Sequence, residues 1–473
     1  MKVKTETEKL RDEAQAASTR RDTMRALTAS DELLRRDPSD VDAMFIAGTA
    51  FMTNGHEGIA ALLLNAARCA TKDPVKLGAI WNNLGYALQD YQPGEAYRAF
   101  TEALKYDGAP AYTYDNLCSV SMKLGRNAEA LEWSEKAVGF DTSYNKSFPL
   151  LAQGRWAEAW AAYAKSAGTE LRPRTDRDYG LPRWDGKAPG RVIVHGEQGV
   201  GDEIMFLSML PADFDGVIDC NPRTAELFAR SFPNAKVYGT LLNNFIEWPM
   251  REKCDWHLEM GGLGEHYGAV PFARGAYLTP DRNRERMWGA YLASACGAYD
   301  VGDRGTSKRS GPRIGVAWTG GTWATGRGQR SIPFNLIEDL IRAHPEITFV
   351  NLEYEDRKEE LSDLPQVLNP HWATKKGADL DDLAALVSSL DLVITATNST
   401  VDLCGALGVP CWALVDAFPQ WRYATAAGEH EMWFYESVRT FRQKPADDGK
   451  WARVIGRVSK ALHEMSAAKV AAE

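Results

Sequence analysis

Three stretches of the 473-residue chain bring together residue types that do chemistry at spacings a binding site requires. The first, His195-Gly196-Glu197-Gln198-Gly199-Val200-Gly201-Asp202-Glu203, mixes carboxylates, an imidazole and glycines. Glycines permit a tight turn with free backbone N–H groups, and a carboxylate held at such a turn can take a proton from a hydroxyl. An aspartate there can equally cap the helix that follows. The second stretch, Thr319-Gly320-Gly321 through Arg327, Arg330 and Ser331, combines glycines, hydroxyls and two arginines. Forked guanidinium donors suit a diphosphate and strengthen as negative charge develops on it. Solvated arginines on a surface loop are the plainer alternative. The third, Asn398-Ser399-Thr400-Val401-Asp402, offers hydroxyls and N–H groups at a helix start, where phosphate is favoured and where Asn and Ser also act as ordinary caps.

A further cluster, Trp421-Arg422-Tyr423 followed by Arg439, Phe441, Arg442 and Gln443, places aromatic faces beside cations. Such faces can stack on a base or sugar, and core packing is the competing use of Trp421 and Phe441.

Each of these stretches lies where a strand gives way to a helix. RVIVH from Arg191 is a short β-branched run that ends in the first glycine-rich turn, and EIMFLSMLP then reads as an apolar helix. Strands are expected at 216–220 and 235–239, with PRTAELFARSF as a helix between them. VGDRGTSKRSGP reads as a linker. A second series follows, with strands at RIGVAW, ITFVNLEY, LDLVITAT and PCWALV, and helices at 335–344, ADLDDLAALVSSL and VDLCGALG. Alternating strands and helices predict two parallel α/β lobes, with ligands held at the carboxyl ends of the strands. The stretch from Trp451 has the spacing of an amphipathic helix that braces the lobes.

The N-terminal third has a different period. Trp81-x-x-Leu84-Gly85, with Ala96, Phe100, Ala103 and Leu104 after it, resembles the tetratricopeptide pattern. Gly48, Phe51, Gly55, Ala60, Leu64 and Ala67 repeat the frame upstream; Leu117, Gly125, Ala130 and Ala137 repeat it downstream. Gly154, Ala159 and Tyr163 open a last incomplete unit, and a half-unit from Ala26 to Pro38 precedes them all. Helix pairs of this kind must stack to bury their apolar faces, which predicts a solenoid with a groove that either docks a partner or acceptor or belongs to a scaffold that only supports the domain behind it. Trp133, Trp156, Trp160 and Tyr163 fit packing against the neighbouring domain better than a ligand site. The resulting division is repeats over 1–170, a first lobe over 171–305, a second over 306–445 and a terminal helix over 446–473.

Taken together, HGEQGVGDEIMF, WTGGTWATGRGQRSIP, LDLVITATNSTVDLCGALGVPCW and WRY with FRQ resemble bacterial tetratricopeptide-repeat glycosyltransferases. These are related to heptosyltransferase family nine and, in architecture, to O-GlcNAc transferases. The resemblance spans nearly the whole chain and implies a TPR solenoid ahead of a GT-B fold of two Rossmann-like lobes, with the acceptor in the first and a nucleotide-sugar in the second. It carries the general base over to Asp202, with Glu197, Glu203 and His195 in reserve. It also assigns Gly199, Gly201, Thr319, Gly320, Gly321, Arg327, Arg330, Ser331, Asn398, Ser399, Thr400, Trp421 and Arg422 to the nucleotide-sugar. Three positions depart from the family pattern: Thr397 stands near where aspartate is usual, Asp402 where histidine is usual and Glu353 where glutamine is usual. The implied reaction is metal-independent transfer, with inversion, from a nucleotide diphosphate-sugar to a hydroxyl, needing no cofactor beyond that co-substrate. A catalytically inactive scaffold with a vestigial nucleotide site is the alternative.

Composition narrows the partners. Lys+Arg 55 against Asp+Glu 64 gives a net charge of -9, which disfavours bulk nucleic-acid binding. A protein acceptor is therefore expected ahead of a glycan or a hydroxylated phage DNA base. Seven scattered cysteines without a C-x-x-C spacing fit neither a disulfide framework nor a zinc site, and the histidines form no ligand motif, so no metal is expected. No apolar run is long enough to insert in a membrane and the first residues lack a leader pattern, so a cytoplasmic location is expected.

Overall fold

The computed structural model describes residues 4–138, 142–167, 179–240, 247–268, 275–298, 311–321, 326–444, 447 and 449–472. The expected boundaries at 170, 305 and 445, most of the linker, and loop residues 322–325 lie outside the described residues. The chain forms two compact units, Met1–Pro149 and Leu150–Glu473.

The first unit consists of antiparallel helix pairs: α1 (Glu6–Thr19) with α2 (Thr23–Arg36), α3 (Val41–Thr53) with α4 (Glu57–Ala70), α5 (Pro74–Leu88) with α6 (Pro93–Ala103), and α7 (Thr113–Lys123) with α8 (Asn127–Lys136). Helix α9 (Thr142–Ala152) crosses the unit boundary. The small residues read from the repeat are what let the helices approach. A Cβ on Gly85 would stand 2.7 Å from the Phe100 ring, and one on Gly48 would stand 2.9 Å from Leu64. The expected half-unit at Ala26–Pro38 is in fact a full pair. Helix α1 escaped notice because it buries only Ala14 and Ala17 and carries none of the large repeat residues. A Thr5–Glu8 capping box starts it instead.

The second unit opens with α10 (Trp156–Lys165) and continues as two parallel sheets. In the first lobe β1 (Val192–His195), α11 (Val200–Leu207), β2 (Val217–Cys220), α12 (Ala225–Ser231), β3 (Lys236–Gly239), β4 (Trp256–Glu259), α13 (Leu263–Tyr267) and α14 (Arg282–Ala298) give the order β3-β2-β1-β4. The second lobe contains β5 (Arg313–Ala317), α15 (Arg327–Arg330), α16 (Phe334–Ala343), β6 (Thr348–Asn351), β7 (Val367–Leu368), α17 (His371–Thr374), α18 (Leu380–Ser388), β8 (Leu392–Ala396), α19 (Ser399–Leu407), β9 (Cys411–Val415), β10 (Val438–Arg442) and α20 (Ala452–Ala472). Its order is β10-β9-β8-β5-β6-β7. The helical repeats followed by two Rossmann-like lobes match the fold class expected from the sequence.

In each lobe the strand order reverses beside the first strand, between β1 and β4 and between β5 and β8. Open α/β sheets form their binding crevices at such points. The two lobes are tied by the paired Arg230–Asp381 fork at 2.8 and 2.7 Å and by the Trp288 N–H to Asp382 at 2.9 Å. The buried face of α20, with Val454, Val458 and Leu462, joins the core of the second lobe beside Phe349, Ile394 and Phe441.

Candidate functional site

The loop after β5 and the start of α19 meet at the second lobe's reversal point. Asn398 caps α19, its Oδ1 accepting from the Thr400 N–H at 2.9 Å, while its Nδ2 donates to the Thr319 carbonyl at 3.0 Å. Arg330 is buried behind the same loop, and its Nη1 donates to the Thr397 carbonyl at 3.0 Å. Burial pushes the Arg330 guanidinium below its ordinary range. Ser331 Oγ accepts from the Gly320 N–H at 3.1 Å. Glycine is required at 320, because a Cβ there would lie 2.3 Å from the Cβ of Arg330. Thr319, Gly320, Arg330, Ser331, Asn398 and Thr400 therefore form one connected group.

Glu353 explains part of that group's rigidity. Its buried carboxylate accepts from the Trp318 N–H at 2.6 Å, the Thr319 N–H at 2.7 Å and the Thr319 hydroxyl at 2.5 Å, with Arg357 at 3.5 Å. The glutamate is thus a brace for the loop after β5. Arg327 is pulled to the side: it pairs with Glu355 at 2.7 Å and donates to the Tyr354 hydroxyl at 3.1 Å. Gly321 adopts φ 54, and its carbonyl accepts from the same hydroxyl at 3.4 Å.

On the first lobe the glycine-rich turn leads into α11. Asp202 sits in the first turn of this helix, and one of its oxygens accepts from the Gly199 N–H at 3.3 Å. Its other oxygen meets Arg422, whose second nitrogen lies 3.4 Å from Asp402 in the first turn of α19. One guanidinium thus joins a carboxylate of each lobe. A Cβ on Gly201 would stand 3.1 Å from Asp402 and 3.2 Å from Ser399, so the two helix starts abut closely. Burial raises the Asp402 carboxyl to about 7, although Arg422 opposes the shift. Burial works against the Arg422 charge, but Asp202 and Asp402 outweigh it and hold that guanidinium above its ordinary range.

The reserve carboxylates lie elsewhere. Glu203 is buried, accepts from the Asn221 N–H at 3.0 Å, and is raised by burial to about 8. Glu197 is half-buried on the turn. His195, at the end of β1, is buried 3.3 Å from His257.

The aromatic residues of α10 hold this arrangement from the side. Trp160 donates to the Gly268 carbonyl at 2.9 Å and meets Phe206 of the first lobe and Trp421 of the second edge-on. Tyr163 receives the Gln198 side chain from the glycine-rich turn. Trp156 packs edge-on against Trp433. Packing, which the sequence favoured for Trp156, Trp160 and Tyr163, is what they do. Trp421 is buried between Trp160 and Phe434. Phe441 is in the core, and Arg442 donates to the backbone carbonyls of Tyr423, Glu429 and Glu431. The sequence placed Arg422 with the nucleotide and missed its two carboxylates. Its separation from Asp202 by 220 positions leaves no local signal. Among the described residues no group of three or more His, Cys, Asp or Glu side chains could hold a metal ion, and no helix is long and apolar enough to cross a membrane.

In the first unit a row of amides and hydroxyls links successive repeats. Asn83 donates to Thr49 at 3.1 Å, Thr113 and Asn116 both donate to Asn82 at 3.0 Å, and Asn145 donates to Asp115 at 3.5 Å.

No protein-family model matches the chain. It is 30% identical over 465 residues to Protein FlbA of Caulobacter vibrioides, an alignment covering 91% of this chain and 74% of that protein. Among solved structures, a mutant of the Thermobaculum terrenum O-GlcNAc transferase aligns over 98% of this chain and 94% of its own, at 13% identity and a TM-score of 0.36. Pseudomonas aeruginosa pilF aligns over 36% of this chain and 82% of its own, at 21% identity and a TM-score of 0.31.

Proposed function

The chain belongs to the family of Protein FlbA, and we propose that it is a cytoplasmic glycosyltransferase that moves a sugar from a nucleoside-diphosphate sugar to a hydroxyl of a protein. The observation that carries this reading is the meeting of the two helix starts, with Asp202 on one side and the Arg330–Asn398 group on the other. In the proposed reaction the acceptor oxygen attacks the anomeric carbon as Asp202 takes its proton. The bond from sugar to diphosphate breaks, and the electron pair leaves with the phosphate oxygen. Arg330 and the N–H groups at the start of α19 meet that charge, so no metal is needed. Attack opposite the leaving group inverts the anomeric centre. The row of amides in the first unit supports a protein acceptor, since half-buried amides at repeat spacing can pair with the backbone of an extended peptide.

A second reading, a binding protein without catalysis, is favoured by specific contacts. Glu353 already takes the Trp318 and Thr319 N–H groups, Glu355 takes Arg327, and a carboxylate occupies the first turn of α19. Nucleotide binding separates the two. Under the transferase reading, one of UDP, GDP, ADP or CMP at about 100 times its dissociation constant stabilises the fold by about 2.7 kcal/mol. Asp202→Asn, which breaks the pair with Arg422 and so also costs stability, then lowers nucleoside-diphosphate release with acceptor present by roughly 100-fold at unchanged nucleotide affinity. Absence of any nucleotide-dependent stabilisation favours the binding protein. Near-normal transfer by Asp202→Asn removes the base role from Asp202.

A further inference from the structure

Away from the crevice, α14, the start of β5 and the turn between α18 and β8 line a cavity of about 490 Å³. Small-molecule sites occupy roughly 300–1,000 Å³. Arg313 opens β5 and Asp391 immediately precedes β8, whereas Thr319 and Asn398 follow the other ends of these strands. A five-residue strand spans roughly 16 Å, so the cavity is separate from the crevice.

Three guanidiniums face two carboxylates in its wall. Arg282 and Arg286 stand one turn apart on the same face of α14, and neither has an ion-pair partner among the described residues. Arg286 engages only its Nε, which donates to the Arg282 carbonyl at 3.2 Å. Arg284, on another face of the helix, is by contrast paired with Asp379 and Glu226. The third guanidinium, Arg313, has its Nε 3.7 Å from Asp391, and the same carboxylate oxygen accepts from the Arg313 backbone N–H at 2.7 Å. Glu285 is the remaining carboxylate. Its backbone carbonyl accepts from the Ser389 hydroxyl at 3.1 Å, which ties α14 to the end of α18 and sets this wall of the cavity.

We propose that the cavity binds a small phosphorylated polyol, of the sugar-phosphate class. Cations gathered around one space repel one another until an anion joins them. A carboxylate is planar and is matched by a single guanidinium fork, whereas a tetrahedral phosphoryl group offers oxygens to forks arriving from different sides. Three positive charges less two negative ones leave one, which suits a single phosphoryl group better than a polyphosphate chain. Glu285 completes the selection. An unpaired carboxylate in the wall repels bare phosphate but accepts hydroxyl hydrogens, so it favours a phosphoryl group attached to a hydroxyl-bearing carbon chain. The site is independent of the transferase reading, since none of its residues belongs to the crevice.

The test titrates the full chain with inorganic phosphate and with glycerol 3-phosphate, followed by calorimetry and 31P line broadening. Glycerol 3-phosphate should bind several-fold more tightly than phosphate. Arg282→Gln combined with Arg286→Gln should weaken both by about tenfold or more at unchanged melting temperature, because these exposed side chains hold no partner in the fold. Glu285→Gln should tighten inorganic phosphate and erase the advantage of glycerol 3-phosphate. Arg330→Met, in the crevice, should leave the binding as it is. The proposal is overturned if neither probe binds, if the double variant binds like the wild type, or if Arg330→Met alone abolishes binding. It is equally overturned if Arg342→Gln, an arginine of α16 paired with Glu338, weakens binding as much as the double variant, which would mark a response to bulk charge.

Discussion

Glu203 offers a quantitative check on the packing under the glycine-rich turn. Its carboxyl is held between the Asn221 N–H and the Thr224 hydroxyl, and a Cβ on Gly196 would approach it to 2.2 Å. Burial raises it from 4.5 to about 8. The folded protein therefore keeps a proton that the unfolded chain has lost across that interval. The stability associated with this proton is fully present below the unfolded value and is lost as pH rises toward the folded one. The loss is about 1.4 kcal/mol per pH unit, or roughly 3 kcal/mol between pH 5 and 7. Glu203→Gln keeps the shape and removes the titration. Urea unfolding followed from about pH 5 to 8 should show the wild type weakening with pH and the variant weakening by about one proton less. Asp402, raised by burial to about 7, contributes with the same sign, so a smaller slope persists in the variant. Identical slopes in the two proteins would refute the account of Glu203 as a neutral, buried acid.

Four further variants probe the same contacts. Because Arg330 is buried and bonded to the Thr397 carbonyl, Arg330→Met should both weaken nucleoside-diphosphate binding and cost about 1–3 kcal/mol of stability, checked by calorimetry and denaturation; unaltered stability would show that the carbonyl does not depend on the guanidinium. Trp160→Phe removes the donor to the Gly268 carbonyl while keeping much of the ring packing and should cost a similar amount, whereas Gly264→Ala, whose Cβ would stand 2.3 Å from the indole, should destabilise by about 1–3 kcal/mol through overpacking. Asn116→Ala should raise KM for a protein acceptor and leave KM for a short acceptor peptide unchanged, measured by nucleoside-diphosphate release.

Much of the architecture is legible without coordinates. The repeat frame follows from small residues such as Gly48 and Gly85, since only glycine tolerates the facing Leu64 and Phe100. The strands of both lobes follow from short β-branched runs ending in glycine or asparagine turns, with β1, β5 and β8 within a residue or two of the expected positions. What escaped has a physical cause. Helix α1 carries its burial on two alanines. β4, WHLE, is too mixed in polarity to stand out from its surroundings. β10, VRTFR, reads as a basic and aromatic cluster because its arginines are satisfied by carbonyls or lie over aromatic rings.

The candidate site divides along the same line. Sequence alone determines which segments end at the crevices, because a strand, a glycine turn and a helix start are local features encoded by neighbouring residues. Asp202, Arg330 and Asn398 could be singled out for that reason. Only the tertiary structure decides how their charges are used. It gives Glu353 to the N–H groups of Trp318 and Thr319, Arg327 to Glu355, and Arg422 to two aspartates on different lobes. Those partners lie between 20 and 220 positions apart. A charge acts through space, and the distances that set its effect arise only when the sheets and helices are packed.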